Sequence, residues 1–424
     1  MLSTLRDAWR IPDIRQKIIF TLLMLLVFRL GSAVPVPFMN RELIAEVFEA
    51  NQGGLLQFLD LMAGGTFSQF SIFATNIYPY ITASIIIQLL TVAIPALEQL
   101  SKEGEEGKKK IAKYTRYGAV SIAAIQAIGY TFGLFRNALE TTSMLDNVVV
   151  ILSMTAGTAL LIWIGELITE KGIGNGISLL IFIGIVSRLP AELFNMYRYV
   201  DAGAVSIISI IIFGIIILAT VAVVVALQEG QRKISVQYAK RVIGRKMYGG
   251  QSTHIPIKVL MAGVMPVIFA NALMALPQTI TLFSSGPVAS WIERYMTPAG
   301  SVGIWVYSIF NIILIMFFTY FYTAIQFNTV EYAKNLQQNG GFIPGIRPGR
   351  PTSEHLNRVV SRIVFVGGSA LAVLSTLPVV LSRLFGMQVN FGGTAVIIVV
   401  GVALETVRQI ESQMLMRHYK GFLK

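Results

Sequence analysis

Apolar residues in this chain come in long runs rather than in alternation. Ten can be read, at roughly 18–36, 67–94, 117–135, 147–168, 176–194, 203–227, 257–283, 303–327, 363–383 and 392–407. Most reach the ~20 residues that a helix needs to cross a hydrocarbon core of ~30 Å. The pattern predicts an all-α integral membrane protein with ten transmembrane helices. The last run is short and carries Glu405, so enclosure by other helices is expected there. Ten spans divide into five and five, and five is odd. Duplication of a five-span unit therefore places the second copy upside down, with one half over 1–200 and the other over 201–424. A weak internal echo agrees: the second span of one half reads "IYPYITASII" and that of the other "GVMPVIFANALMALP". Both put proline and polar residues in mid-membrane helix, which neighbouring protein or water can support. Prolines are common in membrane helices generally, and that alone would give a similar echo.

Three stretches break the pattern. "GGLLQFLDLMAGG" (53–65) has an apolar centre, Leu55 to Met62, that is only ~12 Å long as a helix. It is too short to span and too apolar for a solvated loop. Glycine pairs at both ends allow it to hinge, and Gln57 and Asp60 share one face. Residues 228–256 interleave Val236, Tyr238 and Val242 with basic residues and include a Tyr-Gly-Gly turn, which predicts short strands. Residues 328–362 include "GGFIPGIRPGRPT", where glycine and proline predict a rigid, non-repetitive tip. Loops of this length in a compact protein usually carry function, although plain solvated loops would share their charge.

Composition and charge settle the class and the sidedness. Of 424 residues, 54% are hydrophobic and 13% charged, and the mean hydropathy of +0.67 is too high for a soluble protein. With both termini in the cytoplasm, 26 of the 34 lysines and arginines fall on that side and five on the other, while Arg29, Arg188 and Lys258 lie in or beside spans. The positive-inside rule selects this orientation, and the net charge of +12 then faces acidic partners or anionic lipid. No cleavable signal sequence stands out. The absence of cysteine excludes disulfides and thiolate chemistry.

Enzymatic chemistry finds no support in the motifs. The three histidines, His254, His355 and His418, fall in cytoplasmic segments, and neither H-E-x-x-H nor G-x-S-x-G occurs. "EKGIGNGIS" (170–178) follows a membrane helix rather than a strand, so it reads as a tight turn. Glu166 and Glu405 lie near cytoplasmic ends, leaving the midplane without the ionisable groups an ion-coupled carrier needs. Isoleucine occupies that midplane instead. Ile77, Ile81, Ser84 and Gln88 form one stripe of span two, Ile177 and Ile181 share a face of span five, and Ile268 and Ile398 sit mid-depth in spans seven and ten. Periodicity alone does not separate such residues from ordinary packing or lipid contact.

Five segments in order, "PYITASIIIQLLTVAIP", "SKEGEEGKKKIAKYTRYG", "ITEKGIGNGIS", "YAKRVIGRKMYGGQSTHIPIKVLMAGVMPVIFA" and "GFIPGIRPGRPT", resemble the SecY family, central subunits of the bacterial protein-conducting channel. The resemblance covers the chain from about residue 1 to its end. It implies ten helices in two inverted, pseudo-symmetric halves around an hourglass pore that opens across the membrane and sideways into lipid. It also implies a site in the bacterial plasma membrane and, as partners, the SecE and SecG subunits, the SecA ATPase or a translating ribosome, and the translocating polypeptide. No cofactor or metal is expected. By the same resemblance, Leu55, Leu56, Phe58, Leu59, Asp60, Leu61 and Met62 form a plug on the outer side of the pore. Ile77, Ile81, Ile177, Ile181, Ile268 and Ile398 form its constriction. Thr82, Gln88, Asn271 and Leu276 lie at the lateral gate between spans two and seven, and Arg245, Lys246 and Arg347 contact cytoplasmic partners. Lys246 stands where many members carry a second arginine, and a lysine lacks the bidentate fork.

The physics suits such a conduit. Short aliphatic side chains make a deformable collar that binds no passing side chain tightly, and a dewetted constriction impedes ions. Lateral release is partitioning, favoured by about 0.3–0.6 kcal/mol per leucine or isoleucine and opposed by about 3 per lysine. The competing class is an inverted-repeat secondary transporter, which ion-coupled solute uptake in proteoliposomes would reveal. The orientation is testable because the chain lacks cysteine: single cysteines at Ser235 and Ser353 should react with impermeant maleimides only from the cytoplasmic side. Labelling of either from outside intact cells would overturn the topology.

Overall fold

The computed structural model describes residues 2–50, 60, 64–140, 143–201, 206–238, 241–243, 246–248, 252–280, 286–296, 303–384 and 393–421. Ten of its helices follow the ten apolar runs in order: α1 (Pro12–Gly31), α2 (Tyr78–Ala93), α3 (Glu105–Gly129), α4 (Met144–Lys171), α5 (Gly176–Asp201), α6 (Ile207–Glu229), α7 (Met265–Ile280), α8 (Gly303–Gln326), α9 (Arg350–Leu384) and α10 (Gly393–Gly421). Seven, α3 to α6 and α8 to α10, are long and apolar enough to cross a membrane. The other three have identifiable reasons for falling short. Helix α1 carries Asp13, Arg15, Lys17 and Arg29 within its 20 residues. Helices α2 and α7 have only 16 residues each, about 24 Å of rise. Helix α2 continues, after a bend of 102°, into Pro95–Lys102.

These two short helices depart from the simple run pattern. The apolar run at 67–94 is helical only from Tyr78, and residues 64–77 form successive turns. The run at 257–283 likewise starts with turns at 259–264 before α7 begins. In the other direction, α9 starts well before its apolar run and α10 extends well past its own. Helix α10 is the most enclosed of the seven, with Ile397 and Ile398 fully buried, yet Glu405 itself is exposed. The expectation of enclosure therefore holds for the helix's apolar turns and fails for its carboxylate. A helix has two sides, and the acid occupies the open one.

Helix pairing repeats with an offset of five. Helix α1 packs on α4 and α5, α2 on α3, α3 on α4, and α4 on α5; α6 packs on α9 and α10, α7 on α8, α8 on α9, and α9 on α10. The two sets meet where α2 touches α7 and where α10 touches α5 and α1. A single apolar core runs across these meeting lines and takes in residues of all ten helices except α3. Glycines set several of the closest approaches. A side chain at Gly157 of α4 would run into the backbone carbonyl of Ile72, in the turns that lead to α2.

Two long loops, far apart in sequence, join in one small sheet. Strand β1 (Gln231–Tyr238) pairs antiparallel with β4 (Ser252–Lys258) on one side and with β5 (Gly341–Phe342) on the other. Between β1 and β4, β2 (Arg241–Ile243) and β3 (Lys246–Tyr248) form a second ribbon. Beneath the sheet Val236, Ile257, Ile343, Leu356 and Val364 make a separate apolar core, which seats it on the first turns of α9. Because Gly157 meets backbone rather than a movable side chain, Gly157→Ala should cost about 1–3 kcal/mol through overpacking. A lower thermal midpoint of the detergent-solubilised protein would show it; an unchanged midpoint would mean that the turns at 72 yield freely.

Candidate functional site

The isoleucines singled out in the sequence converge. Ile77 and Ile81 of α2, Ile181 of α5, Ile268 of α7 and Ile398 of α10 are buried in one cluster fed from both sets of helices. Ile177 is partly buried and packs against the same cluster, lying beside Gly165 of α4, where an added methyl would come within 2.6 Å of its Cδ1. Ile185, one turn beyond Ile181 on the same face of α5, is also fully buried in the cluster. The arrangement is one apolar cluster, or collar, whose side chains can neither hydrogen-bond nor ionise.

Beside the collar, α2 and α7 are tied by a polar contact. The Tyr78 hydroxyl donates to the backbone carbonyl of Ala272. Thr82, one turn along α2 from Tyr78, is buried, as is Asn271 beside Ala272. The Asn311 side-chain amide of α8 donates to the Asn271 carbonyl oxygen at 3.2 Å. Leu276, a turn past Ala272, is partly buried, and Gln88 turns back to donate to the Ser84 hydroxyl at 3.3 Å. Polar groups thus gather along the α2–α7 seam, where the family resemblance assigned Thr82, Gln88, Asn271 and Leu276. Tyr78 was missed because a tyrosine in a membrane helix reads as packing until its hydroxyl's partner is known.

Of the residues assigned to the plug, Leu55, Leu56, Phe58, Leu59, Leu61 and Met62 lie outside the described residues. Asp60 is described and buried, at 3% exposure. Its carboxylate accepts the Ser68 backbone N–H at 2.7 Å and pairs with the Arg188 guanidinium of α5. Burial pushes the Asp60 carboxyl above its usual range, against the opposing pull of the Arg188 charge and the Ser68 N–H. The stem that follows is docked closely. Gly64 and Gly65 have φ of +67° and +87°, and a Cβ on Gly64 would meet the Gly184 Cα of α5 at 2.6 Å. Only glycine fits there on both counts. Arg29 of α1 donates to the Gly64 carbonyl at 3.3 Å.

Arg347 is exposed on the turn between β5 and α9. The turn is fixed from several directions: Ile343 is buried, Gly345 and Gly349 have φ of +81° and +95°, and the Thr352 hydroxyl donates to the Arg347 carbonyl at 2.9 Å. Lys246 begins strand β3. Arg245 lies outside the described residues.

A bundle of membrane helices closed around an apolar collar defines a channel-like membrane protein, and solved channels share the fold. The structure of a protein-conducting channel matches with a TM-score of 0.67 and 20% identity, over 95% of this chain and 93% of the other. Sec61 in the canine ribosome–channel complex from the endoplasmic reticulum matches with a TM-score of 0.62 and 18% identity, over 95% and 93%. A family model for SecY matches residues 71–407. The chain is 46% identical to the protein translocase subunit SecY of Halalkalibacterium halodurans, over the whole of both chains. It is 42% identical to that of Thermotoga maritima, over all of this chain and 98% of the relative. The chain belongs to the SecY family. Tyr78→Phe keeps the ring and removes one hydrogen bond, worth about 1 kcal/mol. Amide exchange in the part of α7 around Ala272 should then rise about fivefold, and unchanged exchange would show that the hydroxyl does not hold the seam.

Proposed function

We propose that this chain is the channel subunit through which unfolded secretory polypeptides cross the bacterial plasma membrane, and from which apolar segments pass sideways into lipid. The observation that carries the reading is the collar. The six isoleucines, at or within four helices drawn from both sets of five, lie in or against one apolar cluster. Such a collar can widen around a chain of any composition because it makes no directional bond to it. Closed, it is too dry for ions to pass cheaply. The repeated helix pairing supports two inverted halves, 1–200 and 201–424, that part along the α2–α7 seam.

The work of moving the substrate comes from outside, which fits a non-enzymatic family. Thr82, Gln88, Asn271 and Leu276 are assigned to the lateral gate, and the segment 55–62 to the plug. The exposed Arg347, with Arg245 and Lys246, faces the cytoplasmic partner, either the SecA ATPase or a ribosome. SecE and SecG complete the complex in this reading, and both termini are cytoplasmic. A secondary transporter is the weaker alternative: full-length relatives carry the name of a protein translocase subunit, and the midplane groups described above are aliphatic.

The collar gives the test. Ile81→Ser with Ile181→Ser should hydrate the constriction and weaken the closed state. Deleting residues 55–62 should by itself give only a modest or transient leak, and the combination should exceed either alone. Ion conductance of the reconstituted channel in planar bilayers reads all three. A combined variant no leakier than the unaltered protein would remove these residues from the pore.

A further inference from the structure

Asp60 and Arg188 stand out against the apolar setting of the collar. Buried carboxylates are rare unless paired, and this one is held by a guanidinium that is itself largely covered, at 21% side-chain exposure. The pair also lies at a mechanical junction. Arg188 is one turn beyond Gly184 on α5, so the ion pair and the Gly64–Gly184 contact fall on the same helix face. The guanidinium reaches further still: it donates to the Ser68 hydroxyl at 3.2 Å and would lie 3.0 Å from a Cβ on Gly65. Residues 60, 64, 65 and 68 are therefore all seated on two turns of α5. The Gly65 N–H closes the group by donating to the Asp60 carbonyl at 2.9 Å. Beneath them on α5 lie Ile185 and Ile181 of the collar.

We infer that Asp60 and Arg188 form an electrostatic latch that fixes the base of the plug segment to α5, and so sets how readily the channel unseals. The inference rests on the reading of 55–62 as a plug. A purely apolar cap is held by contact area and can slide. A buried ion pair holds at one geometry, and removing one partner leaves the other charge uncompensated. Removing both charges together leaves no such penalty, because an asparagine and a glutamine can still hydrogen-bond. Arg188 is accordingly a positioning residue for the plug. The asymmetry of exposure makes a further point. Asp60 is the more deeply buried partner, so loss of Arg188 should be felt more than loss of Asp60.

Three variants separate these cases: Arg188→Gln, Asp60→Asn, and the two combined, each purified with its accompanying subunits. Amide exchange at Gly65 and Ser68 reads the latch directly, since both N–H groups are bonded to Asp60. Planar-bilayer conductance reads the seal. Arg188→Gln should raise exchange at these amides by roughly a hundredfold, the order expected for an uncompensated buried charge, with a matching rise in leak. Asp60→Asn should do less in conductance, and the combined variant should fall back toward the unaltered protein. Unchanged exchange in Arg188→Gln would overturn the latch, and so would effects that simply add in the combined variant. The Ile81→Ser, Ile181→Ser channel serves as the control. If it leaks while Arg188→Gln exchanges faster and stays sealed, the pair holds the segment but does not govern the seal, and the inference fails. If the collar variant is also silent, the pore reading is the one at fault.

Discussion

Backbone amides and carbonyls in hydrocarbon find no water, and every one must be satisfied by protein. This constraint shapes the middle of the molecule. Helices α2 and α7 are each some 6 Å too short to cross by themselves, so the turns that lead into them must be enclosed. In the first set, residues 34–36 run alongside 70–72, with the Val36 N–H on the Phe70 carbonyl and the Ile72 N–H on the Val34 carbonyl. Rings of Phe67, Phe70, Tyr130 and Phe135 pack edge to face around the same turns. The Asp60 carboxylate reaches the same stretch of turns, accepting the Ser68 N–H.

Closure then rests on two kinds of contact with different physics. The isoleucine collar contributes apolar burial, which is strong in sum and indifferent to exact position. Tyr78 on Ala272 and Arg188 on Asp60 contribute single directional contacts in a low-dielectric setting, where losing a partner is expensive. One pins the seam between α2 and α7, and the other pins the stem to α5. A barrier built from both can be tight at rest and still open, because the polar groups regain water once they separate.

The small sheet shows the same division at larger scale. Strand β5 contributes only two residues, yet it joins the second long loop to the first and stands it on α9. Arg347 is held on a fixed turn because buried Ile343 anchors one side of it and the start of α9 the other. A guanidinium on such a fixed tip loses less freedom on meeting an acidic partner than one on a loose loop would.

Ten apolar runs and their order were legible in the sequence, and a helix follows each, because hydrocarbon thickness acts on local composition. The mid-depth isoleucines were legible as a stripe, since helical spacing is local too. What periodicity could not supply was how deeply each turn is covered: Ile181 and Ile185 are buried, while Ile177, beside Gly165, is only partly so. The break at residue 77 was hidden for a related reason: residues 67–77 are as apolar as a helix because they are buried, though they are not helical. Asp60 and Arg188 are 128 residues apart, and each alone reads as an ordinary charge near a membrane edge. Their pairing exists only because Gly64 lets the stem lie against Gly184, a contact between two backbones that tertiary structure alone decides.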